Sequence, residues 1–256
     1  MWWPLIPIVA FGAKLLYDYW TQDSTSERPA VVIPTRRADE EVLPPLPTRG
    51  TFAGDLALVI GRTGAGKSSV VNLLKGEQLL PVGDVGSTTR WLEGIPLPLA
   101  SRSVTLVDSP GVGEAFTDAD YNRGIVEWYR RQQHAVRCLM LVLQADAKAH
   151  ADDKRLVDDL RSVADRPLLV VLNQVDKVRP VRDELEGDSW EAVRRRQTAK
   201  GRHIEDKIRV VGEQFRQPGQ ELTIVPVISE PGHSFNRVEL LRELERIVTD
   251  ENRGIS

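Results

Sequence analysis

Apolar runs alternate with amphipathic stretches along most of the chain after residue 50. Six runs have the length of buried strands, and they occupy residues 56–60, 91–99, 103–107, 136–143, 167–172 and 222–227. Stretches with apolar residues at helical spacing occupy residues 69–75, 120–133, 151–163, 190–215 and 238–248. This alternation predicts an α/β fold in which a mostly parallel six-stranded sheet is covered by helices on both faces.

The first 20 residues show a different pattern. Residues 2–16 are apolar apart from Lys14, and aromatic residues stand at both ends of the run, as at a membrane interface. We expect residues 1–20 to form an apolar helix that anchors the chain to a membrane. The run is shorter than the ~20 residues of a usual spanning helix, so crossing the bilayer and lying on its surface both remain open. A helix docked on a protein and a cleaved signal peptide are the alternatives.

Residues 21–50 have the composition of a linker, because their prolines interrupt any helix. We therefore expect the folded domain to occupy residues 51–256. Basic residues follow the apolar run and do not precede it. The positive-inside tendency then keeps the folded domain in the cytosol, at the cytoplasmic face of the inner (cell) membrane.

Composition narrows the choice of partners. A length of 256 residues suffices for one α/β domain with appendages. The net charge of −3 shows no overall basic excess that would point to nucleic acid, so RNA is a possible partner without support from the composition. The single cysteine excludes an internal disulfide and fits a reducing compartment.

A glycine-rich loop joins the first predicted strand to the first predicted helix. Its residues are Gly61, Arg62, Thr63, Gly64, Ala65, Gly66, Lys67 and Ser68, and Ser69 continues the helix. In the order strand, loop, helix, backbone N–H groups and the helix N-terminus can surround a polyphosphate. We expect Lys67 to contact the β- and γ-phosphates and the Ser68 hydroxyl to bind Mg²⁺.

Two further polar motifs follow this loop. Asp108 ends an apolar strand, where its carboxylate can support Mg²⁺ directly or through water. Gly111, three residues on, offers a backbone N–H to a γ-phosphate with no side chain in the way. Between these motifs, the hydroxyl of Thr89 can give Mg²⁺ a second ligand when its loop closes over the nucleotide. Thr88 is the alternative for that role, and an ordinary polar loop remains open.

The next motif, Asn173-Gln174-Val175-Asp176, follows the strand predicted at 167–172. A carboxylate at position 176 can accept hydrogen bonds from guanine N1–H and from the 2-amino group, and adenine offers neither. Asn173 would connect this loop to the phosphate loop, and Ser229 could complete the base pocket through backbone N–H groups. The sequence therefore favours GTP and GDP as ligands.

These motifs, in this order and spacing, resemble those of small GTP-binding proteins of the translation-factor-related class, over about residues 54–250. The phosphate loop, the Thr-Thr-Arg at 88–90 and the motif from Asp108 to Gly111 look most like Era-like bacterial GTPases. The phosphate loop is also similar to those of septin-like and immunity-related GTPases. The resemblance implies a G domain that is specific for GTP, depends on Mg²⁺ and changes conformation on hydrolysis.

The chain departs from the family pattern at three positions. Gln174 stands where the family has a lysine that lies along the base plane. Val112 follows Gly111 where Ras-like proteins carry the glutamine that orients the attacking water. Gly64 stands where potassium-activated Era-like members carry asparagine. We therefore expect slow hydrolysis without help from another residue or a partner, and no stimulation by potassium.

The resulting hypothesis is a membrane-tethered GTPase that acts as a switch. A nucleotide-gated binding module with negligible turnover is the alternative that Val112 favours. An ATP-using P-loop kinase or ATPase is a third interpretation, which Asn173 and Asp176 oppose. A second copy of the chain or an effector protein is the expected partner.

The charged region at 190–215 has the pattern of a solvated helix, with a docking face for protein, anionic lipid or RNA as the alternative.

Overall fold

The computed structural model describes residues 46–50, 52–80, 91–110, 118–147, 150–181, 185, 189–230 and 232–250. The anchor predicted at residues 1–20, the linker up to residue 45, Thr89 with its loop, Gly111 and Val112 all lie outside the described residues.

The six predicted strands and five predicted helical regions follow one another in the predicted order, and the structure adds three short strands and divides the region 190–215 into two helices. The strands are β1 (Thr48–Gly50), β2 (Asp55–Ile60), β3 (Leu92–Pro98), β4 (Ser103–Asp108), β5 (Val136–Gln144), β6 (Leu168–Asn173), β7 (Leu222–Pro226), β8 (Ile228–Glu230) and β9 (His233–Phe235). The helices are α1 (Lys67–Lys75), α2 (Asp118–Gln132), α3 (Ala151–Val163), α4 (Trp190–Arg196), α5 (Ala199–Phe215) and α6 (Arg237–Thr249), and a 3₁₀ turn spans Val175–Lys177. Among these described elements, no helix has both the length and the apolar character needed to cross a bilayer.

Seven strands form one sheet in the order β1-β3-β4-β2-β5-β6-β7, and β8 pairs with β9 in a separate hairpin. β3 runs antiparallel to β4, whereas all other neighbouring strands of the sheet are parallel. The prediction of six strands is corrected by the edge strand β1, so the sheet begins before the boundary predicted at Thr51. The sequence pattern does not reveal β1, because its three residues are exposed and carry no hydrophobic alternation.

Two hydrophobic cores lie on opposite faces of the sheet. Along β2, Leu56, Leu58 and Ile60 belong to one core, and Ala57 and Val59 belong to the other. Helices α2, α3 and α5 contribute to the first core, and α1 and α6 to the second. Burial on both faces explains why the central strands are continuous apolar runs in the sequence.

The charged region after the sheet's sixth strand forms two helices, α4 and α5. The chain turns between them at Gln197, whose φ of 51° lies in the left-handed region. Thr198 then caps α5, because its hydroxyl accepts a hydrogen bond from the N–H of Gly201 at 3.0 Å. Arg194 on α4 pairs with Glu205 on α5 at 2.8 Å, and both side chains are exposed, as expected for solvated helices.

Candidate nucleotide site

The candidate site lies where four neighbouring parallel strands end. The last residues of β2, β4, β5 and β6 are Ile60, Asp108, Gln144 and Asn173. Parallel neighbours present their carboxyl ends at the same edge of a sheet, so the loops that follow them converge. The phosphate loop, Gly61–Ser68, leaves β2 at this edge and leads into α1.

Two glycines allow the phosphate loop to pack closely against its neighbours. Gly61 and Gly66 have φ values of 141° and 88°, which side chains rarely adopt. A Cβ at Gly61 would stand 2.4 Å from the carbonyl oxygen of Val142, and one at Gly66 would stand 2.4 Å from Nδ2 of Asn173. The loop conformation therefore requires glycine at both positions.

Lys67 is enclosed by the loop that precedes it. Its side chain is 7% exposed, and Nζ donates to the carbonyl of Gly61 at 2.9 Å and to that of Arg62 at 3.3 Å. Burial lowers the pKa of Lys67 below its ordinary value, and the charges of Asp108 and Asp153 act in the opposite direction. An ammonium beside a glycine-rich loop at a helix N-terminus can bind a polyphosphate.

Ser68 and Asp108 come together beside this lysine. The Ser68 hydroxyl donates to Oδ2 of Asp108 at 2.8 Å, and Asp108 is fully buried. Hydroxyl and carboxylate oxygens are the hard ligands that Mg²⁺ prefers. The pair therefore fits a magnesium ion, and these two residues would hold it.

The residue after Asp108 connects β4 to helix α2. The hydroxyls of Ser109 and Tyr121 lie 2.9 Å apart, and both residues are buried. Burial raises the pKa of Tyr121 well above its usual range, so this phenol stays neutral. The contact ties the start of the segment after β4 to α2.

Asn173 makes the link to the phosphate loop that the sequence indicates. Its Nδ2 donates to the carbonyl of Ala65 at 3.0 Å, and its Oδ1 accepts from the Ser229 hydroxyl at 2.9 Å. Asn173 is fully buried and Ser229 is 9% exposed. Ser229 therefore contacts the site through its side chain, whereas the sequence suggested a contribution from backbone N–H groups near it.

The base loop, which we define as Gln174–Lys177, follows Asn173. Gln174 has a φ of 61°, and the 3₁₀ turn begins at the next residue. Asp176 lies in this turn with a half-buried side chain. Its carbonyl oxygen accepts a hydrogen bond from Nζ of Lys200 at 2.7 Å. Lys200 is only 2% exposed, so a buried side chain of α5 fixes the backbone of the base loop.

In the structure the predicted residues of the phosphate loop lie together with Asp108, Asn173 and Ser229. Asp176 lies in the base loop that follows Asn173. In the phosphate loop Arg62, Thr63 and Gly64 are exposed, and Ser69 is half-buried in α1. The positions of Thr89 and Gly111 lie outside the described residues.

Two residues of the site were not predicted from the sequence. Gln144 ends β5 and contacts both the phosphate loop and the base loop. The signal that could have indicated it is a polar residue at the end of an apolar run. Lys200 gave no such signal, because it lies in a region dense with charges, most of which are exposed.

The strand–loop–helix unit, its enclosed lysine and the adjoining serine–aspartate pair define a P-loop nucleotide-binding domain. Residues 57–174 match the family described as 50S ribosome-binding GTPase. Over these residues the chain is similar to P-loop GTPase domains of the Era-like type.

Individual bacterial proteins are also similar to this chain in sequence. The chain is 35% identical to YfjP of Escherichia coli, an uncharacterised protein, over 124 residues that cover 48% of this chain and 42% of YfjP. It is 27% identical to GTPase Era of Trichlorobacter lovleyi over 195 residues, which cover 75% of this chain and 56% of Era. The chain spans about half the length of the curated relatives it matches.

The fold is also that of a solved Era structure. The crystal structure of Era in complex with MgGDPNP and a segment of 16S ribosomal RNA superimposes with a TM-score of 0.56. The sequence identity is 17%, and the match covers 82% of this chain and 60% of that one. At this level of sequence identity, the structural similarity shows that the two chains share a fold and nothing further.

Proposed function

We propose that the chain binds GTP with Mg²⁺, hydrolyses it to GDP and phosphate, and acts as a molecular switch. The observation that carries this proposal is the meeting of Lys67, Ser68 and Asp108. An ammonium enclosed by the phosphate loop lies next to a hydroxyl and a carboxylate oxygen that are 2.8 Å apart. Phosphoryl transfer needs both a cationic group for the phosphates and oxygen ligands for the metal.

Each residue has a defined part in this proposal. Lys67 and the backbone N–H groups of the phosphate loop bind the β- and γ-phosphates and stabilise the charge that develops between them. Ser68 and Thr89 offer hydroxyl ligands for the metal, and Asp108 supports it. A bound magnesium ion neutralises negative charge on the β- and γ-phosphates. The N–H of Gly111 contacts the γ-phosphate.

In the reaction, the oxygen of a water molecule forms a bond to the γ-phosphorus. The bond from that phosphorus to the β–γ bridging oxygen breaks, its electron pair stays on GDP, and the water protons pass to phosphate and solvent. Positioning and electrostatics supply nearly all of the catalysis. Val112 cannot orient the water, so we expect slow turnover that a second copy of the chain or an effector accelerates.

Guanine specificity rests on Asp176 and is tested with three diphosphates. We expect calorimetry to show that the wild type binds GDP and excludes ADP. Asp176→Asn replaces one acceptor with a donor, which suits the C2 carbonyl of xanthine, so this variant should prefer XDP to GDP. Asp159→Asn, the same change at an exposed position on α3, should leave the preference for GDP unchanged. Equal affinity of the wild type for ADP and GDP would exclude the guanine assignment.

Turnover separates the switch enzyme from a nucleotide-gated binding module. Phosphate release from GTP should depend on Lys67, and Lys67→Ala should abolish it. A rate per molecule that rises with protein concentration would indicate catalysis by self-association. Binding of GTP without phosphate release at any concentration would support the binding module, which Val112 favours.

Membrane attachment at the cytoplasmic face of the cell membrane is proposed from the apolar pattern of residues 2–16 alone. Charges introduced by Ile8→Asp together with Phe11→Asp should move the full chain from the membrane pellet to the supernatant. Val238→Asp changes a residue that is 77% exposed on α6, and it should leave the distribution unaltered. Recovery of the wild-type chain in the supernatant would refute the anchor.

A further inference from the structure

Gln144 stands between the two loops that would bind a nucleotide. It is the last residue of β5, and β5 lies between β2 and β6 in the sheet. In the register of β5 and β6 it is the partner of Asn173. Its side chain therefore leaves the sheet between the phosphate loop, which follows β2, and the base loop, which follows β6.

The side-chain amide of Gln144 contacts both loops. Its Nε2 donates to the carbonyl of Gly64 at 3.0 Å and, over a longer 3.4 Å, to Oε1 of Gln174. The same Oε1 accepts from Nζ of Lys177 at 3.0 Å. An amide oxygen has two acceptor sites, and here both face donors. Gln144 and Lys177 together hold the carboxamide of Gln174 in one orientation.

The position of Gln174 matters because its backbone sets the course of the base loop. Its φ of 61° is uncommon for a residue with a side chain, and the surrounding contacts must maintain it. Asp176, the proposed base selector, follows two residues later. A rotation at Gln174 would move Asp176 relative to the phosphate loop.

We propose that Gln144 is a positioning residue that sets the separation of the phosphate loop and the base loop, and with it the affinity for ligands that engage both. The proposal rests on the nucleotide site described above. A ligand that spans two sites binds tightly when their separation is set beforehand, because ordering them on binding costs free energy. A ligand that engages only one loop does not depend on that separation.

The first test compares three ligands on the full chain. We expect Gln144→Ala to weaken GDP binding about ten-fold, the equivalent of one net hydrogen bond. Pyrophosphate and guanosine, measured by competition with a fluorescent guanine nucleotide, should keep their wild-type affinities. Gln214→Ala, at an exposed position on α5, controls for the substitution itself.

The pattern of losses decides the result. Equal weakening of all three ligands would show a purely structural role and overturn the proposal, as would unchanged GDP affinity. Urea unfolding of the nucleotide-free variant shows whether the fold is retained. If the wild type fails to bind GDP, the proposed function falls together with this inference, whereas the outcomes above refute the inference alone.

A charge exchange tests the direct contact with Gln174. Gln144→Glu removes the donor and sets a carboxylate against the carbonyl of Gly64, so it should weaken GDP binding. Gln174→Lys sets an ammonium beside Lys177 and the Gln144 amide, and it should also weaken binding, although the resembling family carries lysine there. In the double variant the carboxylate and the ammonium can pair. We expect it to bind GDP more tightly than either single variant. If the losses of GDP affinity in the two single variants add up in the double variant, the direct contact is refuted.

Discussion

Ser229 determines which way the amide of Asn173 points. Its hydroxyl donates to Oδ1 of Asn173 at 2.9 Å, which leaves Nδ2 to donate to the carbonyl of Ala65 at 3.0 Å. One serine beyond the sheet therefore orients the side chain that holds the phosphate loop to the end of β6.

Removing the Ser229 hydroxyl should weaken this arrangement. Ser229→Ala leaves Oδ1 of Asn173 buried without its donor, and we expect the free energy of unfolding to fall by about 1–3 kcal/mol. GDP affinity, measured by calorimetry, should fall as well. Ser234→Ala removes an exposed hydroxyl from the neighbouring strand β9 and should change neither quantity. Identical behaviour of the two variants would show that the Ser229 hydrogen bond contributes nothing.

A second prediction concerns the glycine beside Asn173. Gly66→Ala adds a Cβ at 2.4 Å from Nδ2 of Asn173, so the loop or the asparagine must move. Gly219→Ala is a matched control, because Gly219 has a similar φ of 77° and open space around its Cβ position. Both substitutions carry the strain of a left-handed residue, about 1–2 kcal/mol. We expect only Gly66→Ala to lose GDP binding, and its urea midpoint should fall further than that of the control.

The third prediction concerns the far end of α1, the helix that carries Lys67 and Ser68. Arg237 on α6 donates to the carbonyls of Leu73 and Leu74 at 2.6 and 2.9 Å, in the last turn of α1. Arg237→Met keeps most of the side-chain volume and removes these charged donors. We expect a loss of about 1.5–3 kcal/mol in the free energy of unfolding.

Arg242→Met provides the control on the same helix. Arg242 is 69% exposed and its ion pairs are long, at 3.9 and 4.0 Å. Its replacement should change stability by no more than about 0.5 kcal/mol. Comparable losses at the two positions in urea unfolding would argue against a capping role for Arg237.

The fourth prediction is a proton uptake on nucleotide binding. Burial lowers the pKa of Lys67 in the nucleotide-free protein, and the negative charge of bound phosphates should raise it again. The bound state then holds more protons than the free state once the pH approaches the lowered pKa. Affinity should therefore fall as the pH rises through that value, and calorimetry in buffers of different ionisation enthalpy should register the uptake.

Lys67→Arg is the control for this linkage, because a guanidinium stays charged over the whole range. Ionisation of guanine N1 at alkaline pH affects both proteins alike. An equal pH dependence for the variant and the wild type would assign the effect to the nucleotide and refute a role for Lys67.

The fifth prediction concerns the single cysteine. Cys138 in β5 is fully buried, and burial raises the pKa of its thiol to about 12 from an ordinary value of 9.0. The folded state then holds the thiol proton more strongly than the unfolded chain. This contribution to stability is complete below pH 9.0 and is lost as the pH rises towards 12. Ellman's reagent at pH near neutrality should label the thiol in urea and leave it unlabelled in the native protein. Rapid native labelling would contradict its burial.

Much of the site could be predicted because its chemistry is contiguous in the chain. The phosphate loop is one segment between a strand and a helix, and its glycine spacing is visible in the sequence. Asp108 and Asn173 were found as polar residues that end apolar strands. Parallel packing then places such residues at one edge of the sheet.

Other contacts depend on distances that the sequence pattern does not contain. Gln144 looks like a single polar residue at the end of a strand until the order β2-β5-β6 sets it between two loops. Lys200 lies in a charged region that resembles a solvated helix, and only the packing of α5 buries its ammonium against the base loop. The edge strand β1 is too short to show a period.

Local periodicity and residue chemistry in the sequence determined the alternating strands and helices, the phosphate loop and the sign of charge at each site residue. These features depend on neighbours a few positions away, so they are encoded within single segments. The tertiary structure alone decided the pairing of Ser68 with Asp108, the orientation of Asn173 by Ser229 and the bridge through Gln144. Each of these joins atoms from distant segments, and such contacts form only when burial of two apolar cores settles the order and register of the strands.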